Sequence, residues 1–520
     1  MEATHRKANT VKNVSVDIIA YFVTVILRFV VRYAFIYKIG TEYLGLNSVF
    51  TSIISMFSLA EMGFNLTVGA MLYKPISENN VEKIKSLIKL TKKVFYTVGF
   101  IVLFGGSLII PFIQFFVSNS TIGLASVRCY YFLHVLSSSV SYFFTHKIVL
   151  VSADQKQYVY KRITTIFNII MSFVQVVLLF ILENYISFLI AQLIFTIFPN
   201  IVLSVIADKM YPYLKERNVE RLTAEEKKEF YKKSFGAFFY KMGSILVSAS
   251  DSILISSSAI LGVVVLGKYS NYTLIFTSIS QLAYLCVSGA IASIGNLWVT
   301  ADKDKVMDTF KKLQFIQLWI SLFCTASLCA LSQPVISLLG EILNQDLTLT
   351  VWIVVISSLN FYLQTMQTIV NLFKNAKGLF WYDRYKAIIE AVVNLVASLI
   401  LMQFMGIIGV LLGTTISIVF VNVWYEPYVL YKHGFDKEPM GWYMKNYVFN
   451  FILTILVCGM TFGLTYILPM GVGWLCVKCL ICLIVPNLSM IIIFRKTNRF
   501  KYCANLIKSI VKRQKNTPIT

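Results

Sequence analysis

Residues 14–37 of the chain read VSVDIIAYFVTVILRFVVRYAFIY, an apolar run broken by only three charged residues. A helix of about 20 apolar residues crosses the roughly 30 Å hydrocarbon core of a bilayer. The preceding tail is polar and basic, with Arg6, Lys7 and Lys12, and apolar runs of similar length recur to the end of the chain. The run therefore predicts a membrane-spanning helix and sets the pattern for the remaining sequence.

The composition agrees with a membrane protein throughout. Of the 520 residues, 57% are hydrophobic and only 14% are charged, whereas soluble proteins carry about 25% charged residues. The net charge of +22 is explained by the lysines and arginines that cytoplasmic loops collect, so we expect contacts with anionic membrane lipids and no nucleic acid. Cys476, Cys479 and Cys482 lie in an apolar run without a nearby histidine or carboxylate. We interpret them as packing residues and expect no metal site.

Fourteen candidate spans can be placed along the chain, which predicts an all-α integral membrane protein with 14 transmembrane helices. Their approximate limits are 14–37, 43–72, 94–117, 121–145, 160–182, 185–207, 236–258, 270–299, 313–339, 348–372, 380–402, 407–430, 447–468 and 473–494. If the N-terminus is cytoplasmic, 40 of the 47 lysines and arginines fall on the cytoplasmic side, and the outer loops hold only Lys38 and Lys268. The alternation predicts that both termini are cytoplasmic.

An internal repeat groups the predicted spans. The segment KIGTEYLGLNSVF (38–50) resembles ILGVVVLGKYSNY (260–272), with the glycines of the two segments in register at an offset of 222 residues. The register predicts two six-helix lobes in parallel pseudo-repeat, with a substrate cavity between them and alternating access by rocking of one lobe. The predicted divisions are an N-lobe at 1–208, a cytoplasmic connector at 209–235, a C-lobe at 236–445, two further spans at 446–494 and a basic cytoplasmic tail at 495–520.

Ionisable residues within apolar spans are costly and usually functional. The first span carries Asp17, Arg28 and Arg32, and Asp17 and Arg28 lie about 20° apart around a helix. A polar stripe of this kind must face a watery cavity or a polar partner. The candidate substrate-binding residues are Arg28, Arg32, Lys241, Arg128, Asn65 and Ser248, and the candidate ion-coupling residues of these spans are Asp251, Glu61 and Asp17.

Each candidate also has a structural interpretation. Arg32 and Arg128 lie near the predicted outer ends of their spans, from which their side chains can reach lipid head groups. Asp251 and Glu61 could simply neutralise nearby cations, and Asp17 could interact with the positive end of the helix dipole. No Walker motif is present in the sequence, so we expect no cofactor, and an Na⁺ or H⁺ gradient or the membrane potential as the energy source.

Several stretches carry a resemblance to a known family. They are YLGLNSVFTSIISMFSLAEMGFNLTVGAMLYKPISENNVEKIKSLIKLTKK (43–93), LGKYSNYTLI (266–275), ASIGNL (292–297), KGLFWYDRYKAIIEAVVNL (377–395), GIIGVLLGTTIS (406–417) and WYEPYVLYKHGF (424–435). With them, and over nearly the whole chain, the sequence resembles the Wzx-type polysaccharide repeat-unit flippases. These belong to the multidrug/oligosaccharidyl-lipid/polysaccharide (MOP) exporter superfamily, so the resemblance implies a fold like that of the multidrug and toxin extrusion (MATE) transporters.

The resemblance implies that the substrate is an undecaprenyl-diphosphate-linked oligosaccharide, moved from the inner to the outer leaflet of a bacterial cytoplasmic membrane. Arg28 and Arg32 would then contact the diphosphate. Asp383, Arg384 and Glu390 belong to one of the quoted stretches and form either a structural latch at the cytoplasmic end of the eleventh span or a direct contact with the substrate. Glu390 is also a candidate ion-coupling residue. The expected partners are the lipid-linked substrate, membrane lipids, and a polysaccharide polymerase and co-polymerase, and we expect a monomer.

Two other functions were weighed against this one. An ion-coupled exporter of drugs or small solutes would share the fold, but such exporters favour an acidic cavity for cationic drugs, whereas these spans carry arginine and lysine. An enzyme would need a cluster of acidic or histidine residues on a loop, and the sequence shows none. The sequence therefore favours a lipid-linked oligosaccharide flippase over a drug exporter, and either transporter over an enzyme.

Overall fold

The computed structural model describes residues 2–505, apart from 217, 218, 221, 290, 380, 381, 383, 436 and 437. Within helices, it leaves the side chains at 2–15, 59–63, 66, 236, 237, 239–241, 244, 291–293, 299 and 384 undescribed. The described residues form helices and connecting turns, with no strand among them. The predicted all-α class is therefore confirmed.

The helices follow one another with short connections. They are α1 Glu2–Ile39, α2 Thr41–Phe57, α3 Leu59–Ser77, α4 Val81–Ser107, α5 Leu124–Thr145, α6 Ile148–Ala153, α7 Gln157–Leu182, α8 Tyr185–Met210, α9 Ala224–Ser257, α10 Gly262–Ser288, α11 Ile291–Thr300, α12 Lys303–Leu343, α13 Val351–Met366, α14 Thr368–Lys377, α15 Arg384–Met405, α16 Ile407–Ser417, α17 Val423–Val429, α18 Gly441–Tyr466 and α19 Val472–Phe494. Shorter 3₁₀ turns cover Ile110–Phe116 and Pro212–Lys215, and π-helical turns cover Ile418–Asn422 and Leu430–Gly434.

Nine helices in the described part of the chain are long and apolar enough to cross a membrane. A tenth span results if α4 is counted together with the turn Ile110–Phe116, although the two are bent by 67°. Every predicted span overlaps one or more of the helices above. The chain is thus a multi-pass membrane protein, and the total of 14 spans stays a prediction.

Two segments that the predicted spans leave as loops are helical in the structure. Lys268 was assigned to an outer loop, but α10 begins at Gly262 and includes it. Helix α4 begins at Val81, so Lys83 and its basic neighbours stand on the first turns of a helix rather than in a loop. The apolar pattern underestimates both helices because a helix continues past the bilayer for as long as its backbone hydrogen bonds are satisfied.

The chain divides into two compact units. The first unit comprises Met1–Ser270 and Asp383–Leu395, and the second unit comprises Asn271–Tyr382 and Val396–Thr520. In the first unit, α1 packs along α7, α5 along α4 and α8, and α9 along α2 and α3. In the second unit, the long helix α12 packs against α13, α18 and α19 around a core that includes the fully buried Phe310 and Phe373. The predicted lobe boundaries rest on sequence register, which this division by packing does not test.

Within the first unit, α2 and α10 approach each other backbone to backbone. A Cβ atom placed on Gly45 would lie 2.0 Å from the carbonyl oxygen of Val263, and one on Gly267 would lie 2.1 Å from that of Thr41. Contacts this close are possible only where the residue that faces the carbonyl oxygen has no Cβ atom, which is how small residues let membrane helices touch. We call this contact the glycine crossing. Its two glycines are a pair that the 222-residue offset aligns in the sequence.

Hydrogen bonds join the chain before α5 to the α9–α10 connection. The Ser118 amide donates to the Ser256 carbonyl (2.9 Å), the Val263 amide donates to the Ser118 carbonyl (3.0 Å), and the Asn119 side chain donates to the Ala259 carbonyl (2.9 Å). These bonds satisfy backbone groups that no helix pairs. They also fix the connection beside the glycine crossing.

The carboxylate of Glu42, in the first turn of α2, binds the same part of the chain. It accepts hydrogen bonds from the Ser120 hydroxyl, the Thr121 amide and the Thr121 hydroxyl at 2.6–2.7 Å. Burial alone would raise the pKa of Glu42, but the hydrogen bonds from Ser120 and Thr121 outweigh burial and hold the pKa below its ordinary value. The charged form of Glu42 therefore ties the start of α2 to the start of α5.

Candidate functional site

Arg32 is the predicted site residue that the structure holds most firmly. It lies on the apolar part of α1, within Val16–Ile39, and its Nη1 donates a hydrogen bond of 2.7 Å to the Ser270 hydroxyl of α10. Ser270 is buried and in turn donates to the Gly267 carbonyl at 2.7 Å. The guanidinium is thus bound inside the first unit, one helical turn from the glycine crossing. The side chain is a planar guanidinium that carries five N–H groups.

The other charges of the α1 stripe are not joined to each other. Asp17 lies 3.9 Å from the Lys161 ammonium of α7, at the edge of ion-pair distance. Arg28 is exposed on the unit and has no hydrogen bond or ion pair among the described residues. The three charged residues follow the predicted spacing along α1, but they do not act as one group. Asp17 faces the neighbouring helix α7. Among the described contacts, Arg28 uses none of its hydrogen-bond donors.

Further candidates lie on α3 and α9, which pack side by side. Asn65 and Asp251 are half-buried on these helices, and Ser248 is exposed, with its hydroxyl donating to the Ile245 carbonyl at 3.2 Å. Glu61 and Lys241 belong to the same two helices, but their side chains lie outside the described residues. The structure thus places these predicted residues on one helix pair of the first unit.

Arg128 and Glu390 have local partners. Nη2 of Arg128 lies 3.5 Å from the Pro111 carbonyl, which is long for a hydrogen bond. Glu390, buried on α15, forms an ion pair of 3.1 Å with Lys386 one turn earlier. Asp383 and the Arg384 side chain lie outside the described residues. Among the described residues, no cluster of three or more His, Cys, Asp or Glu could hold a metal ion.

A basic pocket of about 330 Å³ lies at the charged end of α4, and its lysines are Lys85, Lys89, Lys92, Lys147 and Lys215. Two of these charges are compensated, because Lys85 pairs with Glu216 at 2.7 Å and Lys147 pairs with Asp208 at 2.8 Å. The remaining three lysines give the pocket a net positive charge. It lies where the charge pattern predicts the cytoplasmic side.

The second unit contains an ion pair that the sequence analysis missed. Lys374 of α14 and Glu426 of α17 form a direct salt bridge, and their side chains are only 1% and 3% exposed. The predicted spans place Lys374 in a loop between residues 372 and 380, and the charge pattern does not distinguish Glu426. Two such charges are retained in a protein interior only when they are paired, because each one alone loses its hydration. The pair is therefore a structural feature of the second unit.

Comparisons with known proteins locate the fold. No protein-family model matches the sequence, and no curated protein matches it. Among solved structures, the chain is similar to lipid II flippase MurJ in an inward closed conformation, with a TM-score of 0.67, 17% identity, and coverage of 92% of this chain and 98% of that one. The chain has the MurJ–MATE fold.

Transporters of the MATE family show the same likeness. An inward-facing multidrug resistance MATE transporter of the MOP superfamily has a TM-score of 0.61 and 11% identity, covering 82% of this chain and 99% of its own. The MATE transporter DinF-BH in complex with R6G also has a TM-score of 0.61, with 14% identity over 82% of this chain and 95% of that one. The predicted MATE-like fold class is therefore confirmed. At these identities the likeness concerns the fold, and function must be argued from the residues.

Proposed function

We propose that the protein is a flippase that moves undecaprenyl-diphosphate-linked oligosaccharide repeat units from the inner to the outer leaflet of a bacterial cytoplasmic membrane, for surface polysaccharide synthesis. The observation that carries the proposal is Arg32, an arginine bound to Ser270 inside an apolar span. A planar guanidinium makes paired hydrogen bonds to phosphate oxygens. The diphosphate is the part of such a lipid that requires a cation at this depth.

The fold and the sequence resemblance support the same proposal. A MurJ–MATE fold suits a transporter that moves a substrate across a bilayer, and one solved structure with this fold is a lipid II flippase. The sequence stretches quoted above resemble the polysaccharide members of the superfamily. Both termini would face the cytoplasm, and a polysaccharide polymerase and co-polymerase would act on the exported product. We further propose that the protein works as a monomer.

The proposed energy source is an Na⁺ or H⁺ gradient or the membrane potential, without a cofactor. Moving one charge through a membrane potential of 100 mV releases about 2.3 kcal/mol. Asp17, Glu61, Asp251 and Glu390 are the proposed coupling residues because carboxylates within spans can bind a cation or a proton. Glu390 is buried and forms an ion pair with Lys386 on the same helix.

The test replaces the guanidinium in the native host. Arg32→Ala should lower surface polysaccharide about tenfold or more and cause lipid-linked repeat units to accumulate, because hydrogen bonds to a charged group contribute about 1.5–3 kcal/mol. Arg32→Lys should be intermediate, since it keeps the charge and loses the planar fork. Mass spectrometry of lipid-linked glycans, at matched protein levels, measures the effect.

The matched control for Arg32 is Arg162→Ala, which removes an exposed arginine of α7 that contacts the ring of Tyr158. This variant should leave polysaccharide output unchanged. Normal polysaccharide output from Arg32→Ala at normal protein levels would contradict the proposed role of Arg32.

The alternative function is an ion-coupled exporter of drugs or small solutes, and the likeness to multidrug MATE structures favours it. Under this alternative, deletion of the gene would sensitise cells to cationic dyes and leave surface polysaccharide intact. A flippase gives the opposite result. Measuring both outputs in one deletion strain therefore decides between the two functions.

A further inference from the structure

A second cavity of the first unit, of about 410 Å³, is bordered by α2, α7 and α8. Its volume falls within the range of small-molecule sites, roughly 300–1,000 Å³. Side-chain amides dominate its polar lining, from Asn47 on α2, Asn168 and Gln175 on α7, and Gln192 and Asn200 on α8. We call it the amide cavity. None of the residues that line it is charged.

The amides lie on faces of two of the most apolar helices in the chain, both long enough to cross a membrane. On α7, Asn168 and Gln175 are seven residues apart, and on α8, Gln192 and Asn200 are eight residues apart. At about 100° per residue, seven residues return to within about 20° of the same side of a helix, and eight residues return to within about 80°. Each helix therefore carries a neutral polar stripe directed to one cavity, although the rest of its surface is apolar.

Three of these amides have no side-chain partner among the residues that the structure describes. The side chains of Asn168, Gln175 and Gln192 make no hydrogen bond to any described residue, and Gln175 is only 4% exposed. By contrast, the Asn200 side chain donates to the Thr196 carbonyl at 2.7 Å. An amide offers two donors and an acceptor, and leaving it unpaired away from water is costly. The amide cavity thus has unused hydrogen-bonding capacity of both kinds.

The remaining lining residues define the ligand further. Tyr160, Phe188 and Phe195 border the same cavity and supply aromatic surface beside the amides. Without a charged side chain, the cavity offers no opposite charge to a phosphate group. Neutral amides with aromatic rings suit a ligand whose hydroxyl groups both donate and accept hydrogen bonds and whose ring has apolar C–H faces. That combination describes a saccharide.

We propose that the amide cavity binds the glycan portion of the transported lipid, an inference that rests on the proposed function. Helix α1 packs along α7, so the arginines of α1 and the amides of α7 belong to adjacent helices of the first unit. The substrate is therefore recognised in two parts. Arg28 and Arg32 bind the charged diphosphate, and Asn168, Gln175 and Gln192 bind neutral sugar hydroxyls.

The test compares two lipids on the full-length protein purified in detergent, with native mass spectrometry as the readout. One probe is undecaprenyl diphosphate that carries the repeat-unit glycan, extracted from cells depleted of the protein. The other probe is undecaprenyl diphosphate without sugar. The triple variant Asn168→Leu/Gln175→Met/Gln192→Met removes the three amides and roughly keeps their volumes. Its binding of the glycan-bearing lipid should fall about tenfold or more, while its binding of the sugarless lipid stays at the wild-type level.

Two controls separate recognition from folding. Gln403→Met makes the same chemical change at an exposed position of α15 and should bind both lipids as the wild type does. If the triple variant fails to fold, the single variant Gln192→Met, at a half-buried position, should still weaken binding of the glycan-bearing lipid and leave binding of the sugarless lipid unchanged. Gln192→Asn keeps the amide and should recover part of the lost affinity.

Four outcomes would overturn the inference. Wild-type affinity of the folded triple variant for the glycan-bearing lipid would show that the amides do not contact sugar. An equal loss for both lipids would show that they act through the fold. If the wild-type protein binds neither lipid, the proposed function fails together with this inference. Selective binding of the sugarless lipid by the wild type would reject the saccharide site and keep the diphosphate site.

Discussion

Lys374 and Glu426 show how strongly one pair of residues can depend on each other. Both side chains are almost completely buried in the second unit, and their salt bridge replaces the hydration that each charge loses there. They stand 52 residues apart in the chain. The pair therefore joins α14 to α17, and neither residue can be considered without the other.

Lys374→Met should destabilise the second unit because it leaves the Glu426 carboxylate buried without its ammonium partner. Removing one member of a buried pair costs about 3–5 kcal/mol. The expected result is a clear drop in the melting temperature of the protein in detergent. The double variant Lys374→Met/Glu426→Leu removes both charges and should regain most of the loss. If the double variant melts no higher than the single variant, charge pairing is not the reason for the effect.

At the scale of elements, the glycine crossing decides how closely α2 and α10 approach. Gly45 and Gly267 each face a backbone carbonyl oxygen of the other helix, at distances that exclude any Cβ atom. The hydrogen bonds of Ser118 and Asn119 to the α9–α10 connection lie beside this contact. Separation of the two helices would therefore strain several bonds at once.

Gly45→Ala and Gly267→Ala should each push the two helices apart and destabilise the first unit. Overpacking by one methyl group typically costs about 1–3 kcal/mol, and here backbone atoms would have to move. The melting temperature in detergent should fall, and hydrogen exchange of residues 256–263 should accelerate. Gly69→Ala on α3 is the matched control, because nothing lies within 4 Å of its added Cβ. Gly45→Ala melting as high as Gly69→Ala would contradict the close contact.

At the scale of the whole molecule, the distribution of charge makes a prediction about topology. In a background without native cysteines, Asn184→Cys and Phe404→Cys should react with an impermeant thiol reagent only from outside the cell. Lys305→Cys should react only from the cytoplasm. All three positions lie at helix ends, and Phe404 and Lys305 are exposed. The expectation follows from the clustering of lysine and arginine on the cytoplasmic side. Labelling of Phe404→Cys from the cytoplasm would reverse the assignment of that half of the chain.

The sequence was a good guide to the helices because apolar runs and basic loops follow from the bilayer itself. It was a poorer guide to the site. Lys374 was taken for a loop charge because it follows an apolar run, and nothing in the local pattern indicates its pairing with Glu426, 52 residues later. Buried pairs between distant segments depend on tertiary packing, which periodicity does not encode.

The amides on α7 and α8 that line the amide cavity could have been recognised from the sequence. Asn168 and Gln175 are in register on one apolar span, and Gln192 and Asn200 are in register on the next. A search limited to ionisable residues passes over such positions, because neutral amides do not change the charge pattern. What the sequence could not provide is the fact that both stripes border one cavity.

The glycine crossing also constrains how the gene can change. Every amino acid except glycine has a Cβ atom, so no missense mutation in codon 45 or codon 267 avoids a collision with the opposite helix. A compensating mutation in a neighbouring side chain offers no escape, because the atoms in the way are carbonyl oxygens of the main chain. Genetic drift can alter most of the surrounding residues, but these two codons are fixed together. If the repeat predicted from the sequence arose by duplication, the spacing of 222 codons between them would preserve its length.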